Sequence, residues 1–182
     1  MQNLFVPKIY VAKGDEKTLS RKLRLYALEK TLNAPFKVYT DSRGKPYVTS
    51  DIPAAISITH DENVVCVLVA PVKDAGVDIM KVTDEYSKRV VDRFFSPAEK
   101  RELKRKGNFF EIWCRKESWV KMTGQGISGL ASLDTRGKDP AFCNLSEEIS
   151  SLLGEKFTLF TCTLPPIQKP EIVLVNEDDI LL

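Results

Sequence analysis

A glutamate and a lysine stand four residues apart in the stretch WCRKESWVKMTGQG, which spans residues 113–126. With the glutamate first, Glu117 and Lys121 fit a helical ion pair that contributes about 0.2–0.5 kcal/mol when it is exposed. Trp113 lies about 40° around such a helix from Glu117, so the carboxylate stands at the margin of an apolar face. The stretch therefore has two interpretations, a surface ion pair and part of an active site.

Asp78 is a second acidic candidate, because it closes the short apolar run GVDI. A carboxylate at the expected end of a strand can simply accept backbone hydrogen bonds in the following turn. It is equally well placed to bind a hard cation such as Mg²⁺, which takes oxygen ligands and usually keeps several waters. An isolated aspartate does not decide between these roles.

Three further residues could bind an anion. His60 is the only histidine, and it stands where ISITH is expected to leave its strand. A single histidine in a loop is more often incidental than functional. A protonated or hydrogen-bonding imidazole beside Thr59 could nevertheless hold a phosphate, and Lys45 in the preceding GKP turn could add a compact positive charge.

The elements that must position these residues alternate between helical and strand patterns. Apolar residues recur at helical spacing from Thr18 to Asn33, and a capping box opens a later helix at Ser96 and Glu99. Two β-branched runs predict a hairpin, GVDIM predicts a short strand, and residues 109–123 predict a helix that ends at glycine. Two strands, expected to pair with each other, finish the chain. We predict an α+β fold of two similar halves, residues 1–75 and 76–182, joined near Pro71–Ala75.

Composition is that of a globular protein. The 182 residues are 43% hydrophobic and 29% charged, and they contain no apolar run near the ~20 residues that cross a bilayer. The first residues lack the pattern of a signal peptide. Four widely spaced cysteines suggest reduced thiols rather than a metal or disulfide framework. These features predict a cytoplasmic protein that does not bind membranes.

Positive charge is concentrated between Lys88 and Lys121, where 11 lysines and arginines face 5 acidic residues. Such a segment is usually a solvated helix face, and less often it docks an acidic partner. A nucleic-acid binding module is an alternative, although acidic residues interrupt the segment and no nucleic-acid motif accompanies it. Salt-sensitive binding to nucleic acid would favour that alternative.

Five stretches taken together, RGKPYV, ISITHDENVVCVLVA, GVDIM, RFFSPAE and WCRKESWVKMTGQGIS, resemble the 4'-phosphopantetheinyl transferase superfamily. The resemblance is to its longer, single-chain branch, which is built from two similar halves with a pseudo-twofold axis. It runs from about Arg21 nearly to the last residue. Its most specific part is the combination of GVDI with the later W..KES..K..G.G.

The resemblance implies transfer of the 4'-phosphopantetheine group of coenzyme A to a serine of an apo acyl or peptidyl carrier protein, with Mg²⁺ and with release of adenosine 3',5'-bisphosphate. It assigns the metal to Asp78 and Glu117, and it places Lys121 near the attacking hydroxyl and the pyrophosphate. The remaining assignments, at the nucleotide end of coenzyme A, are Arg21, Lys45, Thr59 and His60. A monomer is expected, since two halves in one chain complete a site without a partner subunit.

The chain departs from the family pattern at Met80, where the family often has a third acidic residue. A thioether is a poor ligand for a hard cation, so this departure weakens the expected metal site. It leaves open a homologue that binds a carrier protein or coenzyme A without catalysis. Which carrier or pathway is served, whether fatty-acid, polyketide or nonribosomal peptide synthesis, does not follow from the residues.

Overall fold

Two sheets carry the fold of residues 5–180, the part of the chain that the computed structural model describes. The first sheet has the strand order β4-β5-β1-β9. Its strands are β1 (Lys8–Lys13), β4 (Ala55–Asp61), β5 (Val64–Ala70) and β9 (Glu171–Leu174). The second has the order β6-β8-β7, formed by β6 (Ala75–Lys81), β7 (Phe142–Asn144) and β8 (Phe157–Thr163). A separate hairpin pairs β2 (Phe36–Thr40) with β3 (Pro46–Ser50).

Five α-helices complete this mixed α+β architecture: α1 (Glu16–Leu32), α2 (Lys88–Phe94), α3 (Pro97–Lys106), α4 (Phe109–Thr123) and α5 (Ser146–Leu153). Asp15 caps α1 by accepting a hydrogen bond from Thr18 N. Ser96 and Glu99 form the predicted capping box of α3. No helix within residues 5–180 has both the length and the apolar composition that a membrane crossing requires.

Most predicted elements are confirmed, and three details differ. The helix 109–123 is confirmed, and it ends at Gly124 in the left-handed conformation. Strand β6 continues to Lys81, so Asp78 lies within a strand rather than at its end. Strand β4 likewise continues to Asp61 and includes His60. The last two predicted strands are not partners, because β8 pairs with β6 whereas β9 joins β1 in the other sheet.

Side chains of β4 close the edge of β6 that faces away from β8. Alternate residues of β4 place oxygen atoms opposite alternate backbone N–H groups of β6, which would otherwise be unpaired donors inside the protein. The three bonds are Val77 N to Ser57 Oγ at 3.1 Å, Ile79 N to Thr59 Oγ1 at 3.3 Å, and Lys81 N to Asp61 Oδ2 at 2.6 Å. The two sheets are thereby joined without a continuous backbone ladder.

Helix α4 crosses β6 so closely that only glycine fits at Gly76. A Cβ atom built on Gly76 would lie 1.9 Å from Ser118 O and 2.7 Å from Met122 N, both of which are backbone atoms of α4. Neither atom can move away without displacing the helix. The glycine of GVDIM is thus what allows the helix carrying Glu117 to lie against the strand carrying Asp78.

We expect Gly76→Ala to destabilise the protein by about 2–3 kcal/mol, because the added methyl group forces the helix away from the strand. The change in free energy of unfolding is measured by urea denaturation. Gly137→Ala is the comparison, since a Cβ there meets nothing within 4 Å and only the strained φ of +74° opposes it. Equal losses in the two variants would contradict a close contact at Gly76.

Candidate active site

Asp78 is the buried centre of a small polar cluster. Its side chain points from β6 towards β4 and α4, and the residue is 6% exposed. The carboxylate atom Oδ1 accepts hydrogen bonds from Thr59 Oγ1 at 3.0 Å and from Lys121 Nζ at 2.7 Å. These two bonds satisfy the hydrogen-bonding capacity of a carboxylate that burial removes from water.

The Lys121 ammonium group contacts Asp78, 43 residues away, instead of forming a simple surface pair with Glu117. The 2.7 Å ion pair joins α4 to β6, with a lysine side chain that is 29% exposed and an aspartate side chain that is 9% exposed. A simple surface pair between Glu117 and Lys121 would leave both side chains in solvent. The structure instead directs Lys121 towards the core carboxylate.

Glu117 is partly buried beside this pair. Burial raises the pKa of the Glu117 carboxyl, the negative charge of Asp78 raises this pKa further, and Lys121 opposes both effects. Two carboxylates therefore share one lysine as their counter-charge. Such an arrangement favours binding of an additional cation, which would relieve the repulsion between the acids.

A buried ion pair fixes the rotation of α4 that presents Glu117. Lys116, the residue before Glu117 and about 100° from it around the helix, is fully buried, and its ammonium group donates to Glu99 Oε2 at 3.0 Å and to the carbonyl oxygen of Leu133. Glu99 is also fully buried and accepts bonds from the backbone N–H groups of Ser96 and Thr135. The pair ties α3 and the segment around residue 133 to α4.

A cavity of about 340 Å³ opens beside Glu117 and Lys121. Its wall includes Lys45 and Ile58 together with the glycine-rich turn after α4. Two arginines that the sequence interpretation omitted, Arg24 and Arg43, also line it. Arg43 directly precedes the GKP turn, and Arg24 lies about one helical turn after Arg21. Both could therefore have been found from their positions beside residues that the sequence interpretation selected. The cavity wall thus combines one acidic residue, Glu117, with several cationic side chains.

Lys45 lines this cavity, but its ammonium group is engaged in the fold. The Nζ atom donates to Asp74 Oδ1 at 2.7 Å and to the carbonyl oxygen of Met122, and the side chain is only 10% exposed. It also lies 5.1 Å from the centre of the Tyr47 ring. Lys45 therefore holds the β2–β3 turn against the end of α4, with its aliphatic stem beside Gly124.

His60 and Thr59 are neighbours on β4 but face opposite sides. The Thr59 hydroxyl is buried at Asp78, whereas the His60 side chain is about half exposed, with Nε2 2.8 Å from Glu16 Oε1. Arg21 is exposed on α1. The structure therefore brings together Asp78, Glu117, Lys121 and Thr59, and it leaves Arg21 and His60 on the outer surface near α1.

The donor set suits a hard cation held by few protein ligands. Among residues 5–180, no group of three or more histidine, cysteine, aspartate or glutamate side chains is arranged to hold a metal ion. Mg²⁺ nevertheless usually keeps several of its water ligands and is often bound by only one or two carboxylates. The pair of Asp78 and Glu117 is sufficient for binding of this kind. Met80, half-buried two residues after Asp78, lines a separate cavity with Trp113 and supplies no hard ligand.

The cysteines near this cluster are structural. Cys66 and Cys114 are fully buried free thiols, and burial raises the pKa of each thiol. The charge of Asp78 raises both pKa values further. Neither thiol is therefore set up as a thiolate nucleophile.

Comparison with known protein families identifies the chain. The family model described as the 4'-phosphopantetheinyl transferase superfamily matches residues 74–169, more than half of the chain. The chain belongs to this superfamily. The matched residues include β6, the whole of α4 and β8. The match to the phosphopantetheinyl transferase superfamily therefore covers both elements of the acidic pair, β6 with Asp78 and α4 with Glu117.

Several relatives of known name share this part of the chain. The 4'-phosphopantetheinyl transferase psf-1 of Bacillus pumilus is 33% identical over 106 residues, which are 53% of this chain and 44% of the relative. The 4'-phosphopantetheinyl transferase Sfp of Bacillus subtilis strain 168 is 31% identical over 122 residues, 63% of this chain and 52% of the relative. The transferase gsp of Aneurinibacillus migulanus is 32% identical over 135 residues, 69% and 55% respectively.

The chain spans about half the length of these relatives. Membership of the phosphopantetheinyl transferase superfamily therefore rests on the segment that contains the acidic pair and α4. What the relatives' names state about activity is a property of those longer proteins.

Proposed function

We propose that this protein transfers the 4'-phosphopantetheine group of coenzyme A to a serine of an apo acyl or peptidyl carrier protein. The observation that carries the proposal is the cluster of Asp78, Glu117 and Lys121 beside the cavity, in a chain of the transferase superfamily. The cluster joins negative groups that can hold a cation to a positive group that can meet a phosphate. A binding homologue without catalysis has no need of this arrangement.

The metal is proposed to be Mg²⁺, held by Asp78 and Glu117. When bound, the ion supplies positive charge that offsets the pyrophosphate and stabilises the leaving phosphate. With methionine at position 80, water is expected to complete the coordination on that side. The two carboxylates fit this role because the charge of one already raises the pKa of the other.

The chain's own groups account for the remaining chemistry. The serine oxygen forms a bond to the phosphorus on the pantetheine side of the pyrophosphate, and the bond from that phosphorus to the bridging oxygen breaks. Adenosine 3',5'-bisphosphate leaves with the bonding electrons. We assign the serine proton to Glu117, because a carboxyl with a raised pKa is a better base than an exposed one. Lys121 supplies positive charge beside the transferred phosphoryl group.

The nucleotide end of coenzyme A is proposed to lie on the side of β4 that faces α1, where His60 and Arg21 are accessible to solvent. Lys45 contributes by holding the wall of the cavity, since its ammonium group is bound to Asp74 and the carbonyl of Met122. Thr59, which precedes His60 on β4, joins this strand to Asp78 through its hydroxyl group. Arg24 and Arg43 add cations to the cavity wall.

We expect His60→Ala to weaken binding of coenzyme A about tenfold, the loss typical of one hydrogen bond to a charged group. Because the imidazole lies away from the acidic cluster, KM should rise with a smaller change in kcat. Titration calorimetry with coenzyme A and with dephospho-coenzyme A measures the effect. Only the former carries the 3'-phosphate, so equal losses for both ligands would remove His60 from that contact.

The acceptor is proposed to dock on the basic surface of α2 and α3. Lys104 and Arg105 are exposed at the end of α3, whereas Lys116, which belongs to the same basic segment of the sequence, is buried in an ion pair. The exposed charges suit an acidic carrier protein and account for the charge run without nucleic acid. The carrier's pathway is left to experiment.

Three features of organisation are part of the proposal. The chain has two α+β halves, 1–75 and 76–182, with β9 returning to the sheet of the first half, while residues 1–4 and 181–182 lie outside the described part. The protein acts as a monomer, since one chain supplies every residue of the cluster. It works in the cytoplasm, because its four cysteines are free thiols, as is usual in reducing compartments.

Intact-mass spectrometry tests the proposal. Several apo carrier proteins are incubated with the protein, coenzyme A and Mg²⁺, and each mass is compared with that of a carrier whose acceptor serine is alanine. The proposal predicts a gain equal to the phosphopantetheine group on at least one carrier and none on its alanine variant. Binding of carrier or coenzyme A without any gain would make the protein a binding homologue.

A further inference from the structure

We infer that Thr59 is a positioning residue for Asp78, and that its hydroxyl does not contact the nucleotide. The inference rests on the proposed function, since it concerns the site to which a metal is assigned. Thr59 is 2% exposed on β4, and it lies between the two sheets. Both hydrogen-bonding functions of its side chain are directed at β6.

The hydroxyl group has one hydrogen to donate and lone pairs to accept. The hydroxyl donates to Asp78 Oδ1 at 3.0 Å, and this bond uses the single threonine hydrogen. Ile79 N donates to the same oxygen at 3.3 Å. A phosphate also requires a donor, and Thr59 has no second hydrogen to offer it.

These two bonds fix the carboxylate and the adjacent peptide together. The bond from Ile79 N holds the backbone of β6 next to Asp78, and the bond to Oδ1 holds the carboxylate of Asp78. Rotation about the side-chain bonds of Asp78 is therefore restrained. Lys121 donates to Oδ1 as well, which leaves the second oxygen, Oδ2, for a cation. The outer partners of a metal ligand act in this way, and their loss typically lowers metal affinity about ten- to hundredfold.

The other two β4 residues in the row of side-chain bonds do not share this role. Ser57 accepts from Val77 N and Asp61 accepts from Lys81 N, so each joins the sheets through the backbone of β6. Thr59 alone among these three bonds both the backbone and a proposed metal ligand. The contact between the sheets is thereby linked to the geometry of the acidic pair.

The test compares Thr59→Val, which keeps the shape and removes the hydroxyl, with Thr59→Ser, which keeps the hydroxyl. Mn²⁺ is titrated into each protein with coenzyme A present, and free Mn²⁺ is followed by its electron paramagnetic resonance signal. We expect T59V to bind Mn²⁺ about ten- to hundredfold more weakly and T59S to remain within about threefold of the original protein. Metal-free affinity for coenzyme A should change less than about twofold in both.

Thr163→Val is the matched control, because Thr163 is a buried threonine of β8, paired with Ala75 at the other end of β6 from the acidic pair. If T59V fails to fold, Thr59→Ala carries the same test, since the vacated space admits a water to Ile79 N. Unchanged Mn²⁺ affinity in the folded variant, or a loss of coenzyme A affinity without metal, would overturn the inference. If the original protein binds no Mn²⁺ with coenzyme A, the proposed function itself fails.

Discussion

Asp78→Asn and Glu117→Gln are each expected to lower the rate of phosphopantetheine transfer by about a hundredfold or more. Each substitution keeps the size of the side chain and removes one negative charge from the proposed metal site. Loss of a single preorganised charge-stabilising group in an active site commonly has an effect of this size. The rate is measured at saturating coenzyme A and carrier, with Mg²⁺ titrated to show whether more metal restores it.

Glu111→Gln on the same helix is the control, because Glu111 is exposed in the first turn of α4. It should retain transfer within about twofold, as surface substitutions away from a site usually do. Near-normal turnover of folded Asp78→Asn or Glu117→Gln would remove that residue from the site.

Stability of the metal-free protein provides a second readout of Glu117. A carboxyl whose pKa is raised by folding holds its proton to higher pH in the folded state than in the unfolded state. The free energy of unfolding therefore falls as pH rises from the ordinary glutamate range through the raised pKa. Glu117→Gln has no such group, so without metal it should be the more stable protein at neutral pH and should lose this part of the pH dependence.

Lys116→Met is expected to destabilise the protein by about 3–5 kcal/mol, the usual result of removing one partner from a buried ion pair. The substitution leaves Glu99 fully buried without its counter-charge. Burial lowers the pKa of the Lys116 ammonium group, and the hydrogen bond and negative charge of Glu99 oppose this shift. Urea denaturation measures the loss of the free energy of unfolding.

Two variants make this stability test specific. Glu99→Gln combined with Lys116→Met removes both charges and should be more stable than Lys116→Met alone, because no unpaired charge stays buried. Lys106→Met removes an exposed lysine whose pair with Glu102 spans 3.3 Å, and it should change stability by less than about 1 kcal/mol. Similar losses for Lys116→Met and Lys106→Met would contradict the structural role of the buried pair.

Local patterns were sufficient to predict the elements but not their contacts. The helix 109–123 follows from its apolar repeat and from Gly124, and the start of α3 follows from Ser96, Pro97 and Glu99. Strand β9 was predicted as a strand, but its parallel partner β1 lies more than 150 residues earlier. Short apolar strands carry no local information about which sheet they join.

The candidate site shows the same division. Asp78, Glu117 and Lys121 were selected from the sequence, and the structure places the lysine on the aspartate. Lys116, in contrast, was counted with the basic surface segment, because a charge count does not register burial. The family resemblance assigned Thr59 to the nucleotide. Its bond to Asp78 could not be predicted, because that bond depends on how β4 packs against β6.

The most direct measurement is the stoichiometry of a single reaction mixture. The 182-residue protein is incubated with an apo carrier, coenzyme A and Mg²⁺, and samples are divided between intact-mass spectrometry and chromatography of the nucleotides. We predict that each carrier molecule that gains phosphopantetheine is matched by one molecule of adenosine 3',5'-bisphosphate, and that Glu117→Gln forms both products about a hundredfold more slowly at the same metal concentration. Transfer by this acidic pair would be contradicted if every tested carrier stayed in the apo form. Release of the nucleotide without modification of the carrier would also contradict it.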